Sequence, residues 1–223
     1  MPLYVKRKML QACEMLMGVT VLCAGVTVGI IAGLGQTTST AAASAIADAA
    51  GIKVGTASIC LYGVFFLLQI LMLRGKFRWE RCFQLLPILA HGFLLNFFRF
   101  CFPPFLHLAP QGYFRQMLCF LCGMLLISLG FTITKNCSFT NYPAEAFCAL
   151  VAERIHIRYG TCKIFLDFAY VILALLICWR AGLDFGIVRE GTVIFALLDG
   201  VLINWMTPAI HSWFDRLDEK LVR

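Results

Sequence analysis

The sequence predicts an all-α polytopic membrane protein with about six transmembrane helices, arranged as two inverted three-helix repeats that each contain an extra short helix. Three observations support this fold class. The 223 residues are 61% hydrophobic and 14% charged, with a mean hydropathy of +0.83, well outside the range of soluble domains. The charges are concentrated between long apolar runs. A pattern of glycine, threonine and asparagine also recurs at an offset of about 105 residues.

Four apolar runs without any Asp, Glu, Lys or Arg are each long enough, or nearly so, to cross a hydrocarbon core about 30 Å thick at about 1.5 Å per residue. These runs are 15–47, 54–73, 82–98 and 116–134. Two further spans, 159–179 and 191–214, are equally apolar but contain Lys163, Asp167 and Asp199. The chain therefore has six candidate transmembrane helices.

The basic start of the chain, with Lys6, Arg7 and Lys8 ahead of an apolar segment, also has features of a secretory signal peptide. Glu14 interrupts that segment, and the apolar run is longer than the hydrophobic region of a signal peptide. We therefore expect a first transmembrane helix that is retained.

Basic residues predict the orientation, because positively charged loops stay on the cytoplasmic side. Basic clusters precede the first span, fill the connection between the second and third spans, and follow the fourth. The C-terminal tail adds Arg216, Lys220 and Arg223. Both termini are therefore expected in the cytoplasm, with the protein in the cytoplasmic (inner) membrane. Anionic lipid at the cytoplasmic face accounts for the formal charge of +7, so no nucleic-acid partner is expected.

The 11 cysteines are scattered through the sequence, mostly in apolar segments, where a thiol behaves as a small hydrophobic group. Cys119 and Cys122 have CxxC spacing, but they lie inside a predicted span and no second pair completes a metal site. The sequence contains no nucleotide-binding, zinc-protease or hydrolase motif. We therefore expect no metal, no other cofactor and no enzymatic activity.

An internal repeat divides the single membrane domain into residues 1–110 and 111–223. The matched residues are Gly55 and Gly160, Thr56 and Thr161, Gly92 and Gly200, and Asn96 and Asn204. Because each half has three spans, an odd number, the second half must enter the membrane from the opposite side. Inverted repeats of this kind are typical of transporters and channels.

Each half also contains a short segment, between its first and second spans, that is too polar for a span and patterned like a helix. The candidate N-cap residues are Thr38, Ser39 and Thr40 in the first segment and Thr140 and Asn141 in the second. Gly51 can end the first helix, and Pro143 suits the first turn of the second. Two placements stay open. The helices either dip into the membrane and present hydroxyl-rich N-termini to a solute, or lie flat at the surface as amphipathic connectors.

Polar side chains inside the spans are further candidates for solute binding, because such groups are rare there unless they face a cavity or a partner. The repeat places His91 where the other half has Asp199, and such a pair can shuttle a proton or bind a cation. A structural alternative is that asparagines hydrogen-bond between helices while glycines allow close packing. The candidate substrate-binding residues are Thr38, Ser39, Thr40, His91, Asn96, Asn141, Asp167, Asp199 and Asn204.

Two stretches of the chain are similar to sequences of a known protein family, namely "AGLGQTTSTAAASAIADAAGIKVGTAS" and "REGTVIFALLDGVLIN". Together with the Gly-Thr pair that opens the second span, they resemble the bacterial YitT/YczE-like family of multi-pass membrane proteins. The resemblance runs through nearly the whole chain. It implies a cytoplasmic-membrane protein of transporter type.

The leading functional hypothesis is a secondary transporter or exporter of a small solute. Its site would lie between the repeats, where the short helices and the third spans converge, with proton coupling through Asp199 or Asp167 as a further hypothesis. The alternative is a non-transporting membrane module, such as a substrate-capture or regulatory subunit of a larger complex. The expected partners are the lipid bilayer, the solute, and a second copy of the chain or a membrane partner subunit.

Overall fold

The computed structural model describes the backbone of residues 3–108, 110–137 and 139–222, and the side chains of residues 6–108, 110–137 and 139–214. Arg216, Lys220 and Arg223, which contribute to the predicted cytoplasmic charge, lie outside the described side chains. Within the described ranges all regular secondary structure is helical. Six helices are long and apolar enough to cross a membrane, which confirms the predicted class of an all-α polytopic membrane protein.

The nine described α-helices are α1 (Leu3–Ala32), α2 (Thr38–Ala50), α3 (Val54–Leu73), α4 (Leu85–Phe100), α5 (Pro103–Leu106), α6 (Tyr113–Asn136), α7 (Pro143–Arg154), α8 (Tyr159–Ala181) and α9 (Glu190–Val222). The spans are α1, α3, α4, α6, α8 and α9, with a 3-10 turn (Trp79–Gln84) leading into α4. Helices α2 and α7 are the two predicted short helices, and α5 is a single turn.

The N-cap of α2 lies one residue before the predicted positions. Thr37 is the cap, and its Oγ1 accepts a hydrogen bond from the backbone N–H of Thr40 at 3.2 Å. Thr38, Ser39 and Thr40 instead form the first turn, so their assignment as caps was wrong. Gly51 ends the helix in the left-handed conformation (φ 64°), as the sequence predicted.

Helix α7 begins without a side-chain cap. Tyr142 occupies the N-cap position and Pro143 the first helical turn. Because proline has no N–H, the first turn contains one fewer N–H group without an intrahelical partner. The prediction of Pro143 in the first turn was right, whereas Thr140 and Asn141 do not cap the helix.

The centre of the fold is the pair α1 and α6, whose backbones approach closely at glycines. A Cβ atom built on Gly25 would lie 2.7 Å from the backbone nitrogen of Ile127, and one built on Gly130 would lie 2.5 Å from that of Leu22. Small residues at such crossings allow the close packing on which helix association in membranes depends. Around this pair, α4 packs against α1 and α9 packs against α6.

The short helices pack against second spans from the other half of the chain. Helix α2 lies against α8 as well as α3, and α7 lies against α3 as well as α8. Residues 40–45 of α2 are all buried, and its exposed residues are at the C-terminal end. An amphipathic surface connector would instead expose one face along its whole length.

The third spans also lie close to the segments that lead into the short helices. The N–H of Gly191, at the start of α9, donates to the Leu34 carbonyl at 2.8 Å, and the Thr192 hydroxyl accepts from the Gln36 N–H at 3.1 Å. On the other side, Gln69 Nε2 of α3 donates at 3.0 Å to both Gln84 Oε1 and the Pro143 carbonyl.

We call the contact between α3 and α4 the first seam. It is closed at Gly55 and Gly92, where a Cβ on Gly92 would lie 2.6 Å from the Gly55 carbonyl oxygen. Asn96 joins the two helices, because its Oδ1 accepts from the Gly55 N–H at 2.9 Å and its Nδ2 donates to the Thr56 hydroxyl at 3.3 Å. Asn96 therefore hydrogen-bonds between packed helices, as the structural alternative predicted.

The space between α8 and α9, which we call the second seam, is open. Among the described residues these two spans have no packing comparable to that of α3 and α4. A Cβ on Gly160 or Gly200 would have no neighbour within 4 Å, and Thr161 and Asn204 are exposed. Residues with the same sequence pattern thus occupy a closed seam in one half and an open seam in the other.

Candidate functional site

Glu145, in the first turn of α7, lies close enough to eight polar side chains to interact with them electrostatically. These are Tyr62, Lys135, Tyr142, Tyr159, Lys163, Asp167, Tyr170 and Asp199. We call the group formed by Glu145, Lys163, Asp167, Asp199, Tyr62, Tyr142 and Tyr170 the central cluster. It joins α3, α7, α8 and α9, and therefore lies between the two halves of the chain.

Asp167 connects the first turn of α2 to α8. Its Oδ1 accepts a hydrogen bond from the Thr38 hydroxyl at 2.7 Å and one from Lys163 Nζ at 3.1 Å. Lys163 and Asp167 are four residues apart on α8, and the Asp167 side chain is 27% exposed. Two of the predicted site residues, Thr38 and Asp167, are thus in direct contact.

Asp199 connects α9 to α6. Its Oδ1 accepts a hydrogen bond from the fully buried Ser128 hydroxyl at 2.7 Å, and the carboxylate is half-buried. Lys163 and Asp167 lie within its electrostatic range across the second seam. The open seam therefore borders the central cluster.

Glu145 is the least compensated carboxylate of the cluster. Asp167 is paired with Lys163, whereas no ion pair seen among the described side chains includes Glu145. Burial raises the pKa of the Glu145 carboxyl, and the positive charges of Lys163 and Lys135 only partly oppose this effect. Glu145 therefore binds a proton more readily than an exposed glutamate does.

Two phenol groups of the cluster have no hydrogen-bond partner. The hydroxyls of Tyr142 (6% exposed) and Tyr170 (3% exposed) are buried, and no atom of the described protein pairs with them. Leaving a buried polar group unpaired costs about 1–3 kcal/mol, so such groups are normally satisfied by water or a ligand. Both phenols lie within electrostatic range of Glu145.

His91 lies next to the cluster in a packed aromatic layer. Its ring meets Tyr62 and Tyr142 edge-on, with centroid distances of 5.4 and 6.2 Å. Its Nδ1 is 3.6 Å from the Cys23 thiol, which also donates to the His91 carbonyl at 3.5 Å. The structure thus places this predicted site residue in a buried contact between α1 and α4.

The other predicted site residues are more dispersed. Ser39 interacts with the Tyr62 hydroxyl, and Thr40 accepts a hydrogen bond from Thr37 as part of the α2 cap. Asn141 and Asn204 are exposed, and Asn96 closes the first seam. The structure therefore gathers Thr38, Ser39, Asp167 and Asp199 near the cluster, with His91 in the adjoining layer.

Sequence reasoning missed Glu145, Lys163 and the three tyrosines as site residues. For Lys163 a signal was present, because a lysine four residues before an aspartate on one helix predicts an ion pair. Glu145 follows Pro143 in the first turn of a helix, where a carboxylate is usual. Only the packing of α7 against α3 and α8 brings it among the tyrosines.

In the described part of the chain no group of three or more His, Cys, Asp or Glu side chains is arranged to hold a metal ion. The carboxylates and hydroxyls of the central cluster are groups that can accept hydrogen bonds and bind protons.

Comparison with known proteins links the chain to one family. A protein-family model, described as a family of unknown function (DUF6198), matches residues 9–208. No curated protein and no solved structure matches the chain. The matched range includes every residue of the central cluster and both seams. The chain therefore belongs to the family of unknown function DUF6198.

Proposed function

We propose that the protein is a secondary transporter of a small solute, built from two inverted three-helix repeats (1–110 and 111–223) with the binding site at the central cluster. The observation that carries this proposal is that the helices of the two halves pack in the same pattern except at one place. That place is the seam between the second and third spans, which is closed in the first half and open in the second. A symmetric fold with one closed and one open seam is what alternating access requires.

The packing partners of the helices are exchanged between the two halves. Helices α1, α2, α3 and α4 of the first half are matched to α6, α7, α8 and α9 of the second, and α5 has no counterpart. With this matching, the contact of α2 with α8 corresponds to the contact of α7 with α3. In the same way, the contact of α4 with α1 corresponds to that of α9 with α6, and the central pair α1 and α6 corresponds to itself. A pseudo-two-fold axis through the α1–α6 pair produces this exchange, which supports the inverted repeat.

Side chains follow the same correspondence. In the first half Cys23 of α1 contacts His91 of α4, and in the second half Ser128 of α6 donates to Asp199 of α9. Ser128 is at the repeat offset from Cys23, as Asp199 is from His91. The two halves thus make the same contact with different side chains, and the carboxyl and ammonium groups of the cluster come from the second half.

Exchange of the two seams would move access to the cluster from one side of the membrane to the other. In the present state the first seam is closed by Gly55, Gly92 and Asn96, whereas the second seam is open beside Asp199. We infer that the alternative state closes the second seam through Gly160, Gly200 and Asn204 and opens the first. In this account the glycines allow the two helices of each seam to pack closely, and the asparagine joins them when the seam is closed.

The proposal retains the orientation predicted from charge, with both termini in the cytoplasm and the protein in the cytoplasmic membrane. It also retains proton coupling, now with Glu145 beside Asp167 and Asp199 as proton carriers. The raised pKa of Glu145 supports this role, because a carboxyl that binds protons more readily can exchange a proton for a solute.

Flux across proteoliposomes tests the proposal. Protein would be reconstituted with an entrapped pH dye and supplied in turn with 1,4-diaminobutane, 1,4-butanediol and succinate, with solute uptake and internal pH both measured. We expect uptake of one of these probes, reduced by about tenfold or more in Asp199→Asn and Asp167→Asn. Asp48→Asn, a matched change at an exposed position of α2, should transport like the wild type.

Absence of solute-dependent or pH-dependent flux in correctly folded wild-type protein would contradict the transport proposal. Copurification of a stable stoichiometric partner in that case would favour the alternative, a substrate-capture or regulatory subunit of a larger membrane complex.

A further inference from the structure

We propose that the solute is a small organic cation with a primary ammonium group, bound between Glu145, Asp199 and the free hydroxyls of Tyr142 and Tyr170. This inference rests on the proposed transport function and names the chemical class of its solute. Three features of the cluster support it, namely its charge balance, its unused hydrogen-bond acceptors and the packing of its aromatic rings.

The charge balance of the cluster favours a cation. Glu145, Asp167 and Asp199 supply three carboxyl groups, against two ammonium groups in range of Glu145, that of Lys135 and that of Lys163, which is already bound to Asp167 at 3.1 Å. In surroundings of low dielectric constant, uncompensated charges of one sign repel strongly, so the cluster favours a positive partner or protons. A negatively charged solute would add to the excess of negative charge.

The N-terminus of α2 does not offset this preference. The hydroxyl of Thr37 already accepts the N–H of Thr40, and the hydroxyl of Thr38 donates to Asp167. Two donors of the first turn, the Thr40 N–H and the Thr38 hydroxyl, are thus already directed to groups of the protein. The N-terminus of α7 offers fewer donors, because Pro143 lacks an N–H and the carboxylate of Glu145 lies in the same turn.

The unused hydrogen-bonding groups match an ammonium. A primary ammonium has three N–H donors and no acceptor. The cluster offers the phenol oxygens of Tyr142 and Tyr170, which are at least nine-tenths buried and have no partner in the described protein, and the carboxylate of Glu145, which has no ion pair there. The three donors of an ammonium equal in number these three acceptor groups.

The aromatic rings favour a primary over a quaternary ammonium. Tyr62 meets Tyr142 edge-on at a centroid distance of 6.0 Å, and Phe65 meets Tyr170 in the same way at 5.7 Å. Binding of a quaternary ammonium depends on free aromatic faces arranged as a cage. Here the rings pack against one another, so the hydroxyl groups rather than the ring faces are available.

Binding to purified, detergent-solubilised full-length protein tests the inference. The probes are 1,4-diaminobutane, its neutral counterpart 1,4-butanediol, its anionic counterpart succinate, and tetramethylammonium, each measured by calorimetry and by thermal stabilisation at constant ionic strength. We expect saturable binding of 1,4-diaminobutane, and binding of the other three probes weaker by about tenfold or more.

Three variants locate the site. Glu145→Gln and Asp199→Asn should each weaken binding of 1,4-diaminobutane by about tenfold or more, because each removes a charged acceptor. Tyr170→Phe should weaken it by about threefold, because only one hydrogen bond is lost and the ring is kept. Glu153→Gln, the same change at an exposed position of α7, should bind like the wild type.

Stronger binding of succinate or 1,4-butanediol that depends on Glu145 would overturn the cationic class while leaving the transport proposal in place. Equal binding of tetramethylammonium would overturn the preference for a primary ammonium. Binding of 1,4-diaminobutane that none of the three variants weakens would overturn the location at the cluster. Failure of the transport proposal has a different signature, namely absence of flux for every probe in proteoliposomes.

Discussion

Gly92→Leu is expected to destabilise the protein strongly, whereas Gly200→Leu is expected to leave it folded and unable to transport. A Cβ on Gly92 would overlap the Ile59 side chain and press on the Gly55 carbonyl, but a Cβ on Gly200 would have no neighbour within 4 Å. Overpacking costs about 1–3 kcal/mol or more where the backbone cannot yield. At Gly200 the leucine would instead fill the open second seam and prevent its closure, lowering flux by about tenfold or more.

Thermal unfolding in detergent and flux in proteoliposomes, measured on the same preparations, distinguish these effects. Gly63→Leu is the control for adding a large apolar side chain to a span, because Gly63 also has open space around its Cβ position and takes no part in the Gly55, Gly92 and Asn96 contacts that close the first seam. It should be both stable and active. Wild-type flux by Gly200→Leu would show that the second seam does not need to close.

Glu145→Gln is expected to abolish flux and to remove a pH-dependent loss of stability. Burial raises the pKa of Glu145 in the folded protein above its value in the unfolded chain. Such a group stabilises the fold fully at pH values below its unfolded pKa, and this contribution is lost as the pH rises through the folded pKa. The variant should therefore unfold at a higher temperature than the wild type above that pKa, with the difference disappearing in acid.

The charged groups around Glu145 set the pH at which its contribution to stability is lost. Those that face it are Lys135 of α6, Lys163 and Asp167 of α8, and Asp199 of α9. Glu153→Gln, at an exposed position of the same helix, should keep both the wild-type flux and the wild-type pH profile of stability. A Glu145→Gln protein with an unchanged pH profile and unchanged flux would contradict the role assigned to this carboxyl.

The spans could be predicted from the sequence because charge is excluded from hydrocarbon on energetic grounds alone. Runs free of Asp, Glu, Lys and Arg therefore indicated four of the six spans, and the two spans that carry ionisable residues were recognised by their apolar length. The short helices were also recognisable, since Gly51 and Pro143 have strong positional preferences. The cap at Thr37 was missed by one residue, because several hydroxyl residues in a row give equivalent signals.

The candidate site could be predicted only in part. Asp167 and Asp199 were identifiable because an acid within a span is unusual, but Glu145 acquires its surroundings from the packing of α7 against α3 and α8. Asn96 and Asn204 share one sequence pattern, yet one joins two helices and the other is exposed. No local signal distinguishes them, because the difference depends on which seam is closed. The resemblance to YitT/YczE-like proteins stays a prediction.

The central claim, that the two seams exchange their open and closed states, is tested most directly by distances between spin labels in proteoliposomes. The matched pairs are residues 60 and 93 across the first seam and residues 165 and 201 across the second, all four of which are exposed. Labels carried by a ketone-bearing amino acid leave the other cysteines unmodified. We predict that each pair has a short and a long distance, and that changes in pH or addition of 1,4-diaminobutane lengthen one pair while shortening the other. A single short distance for 60–93 and a single long distance for 165–201 under every condition would contradict the claim.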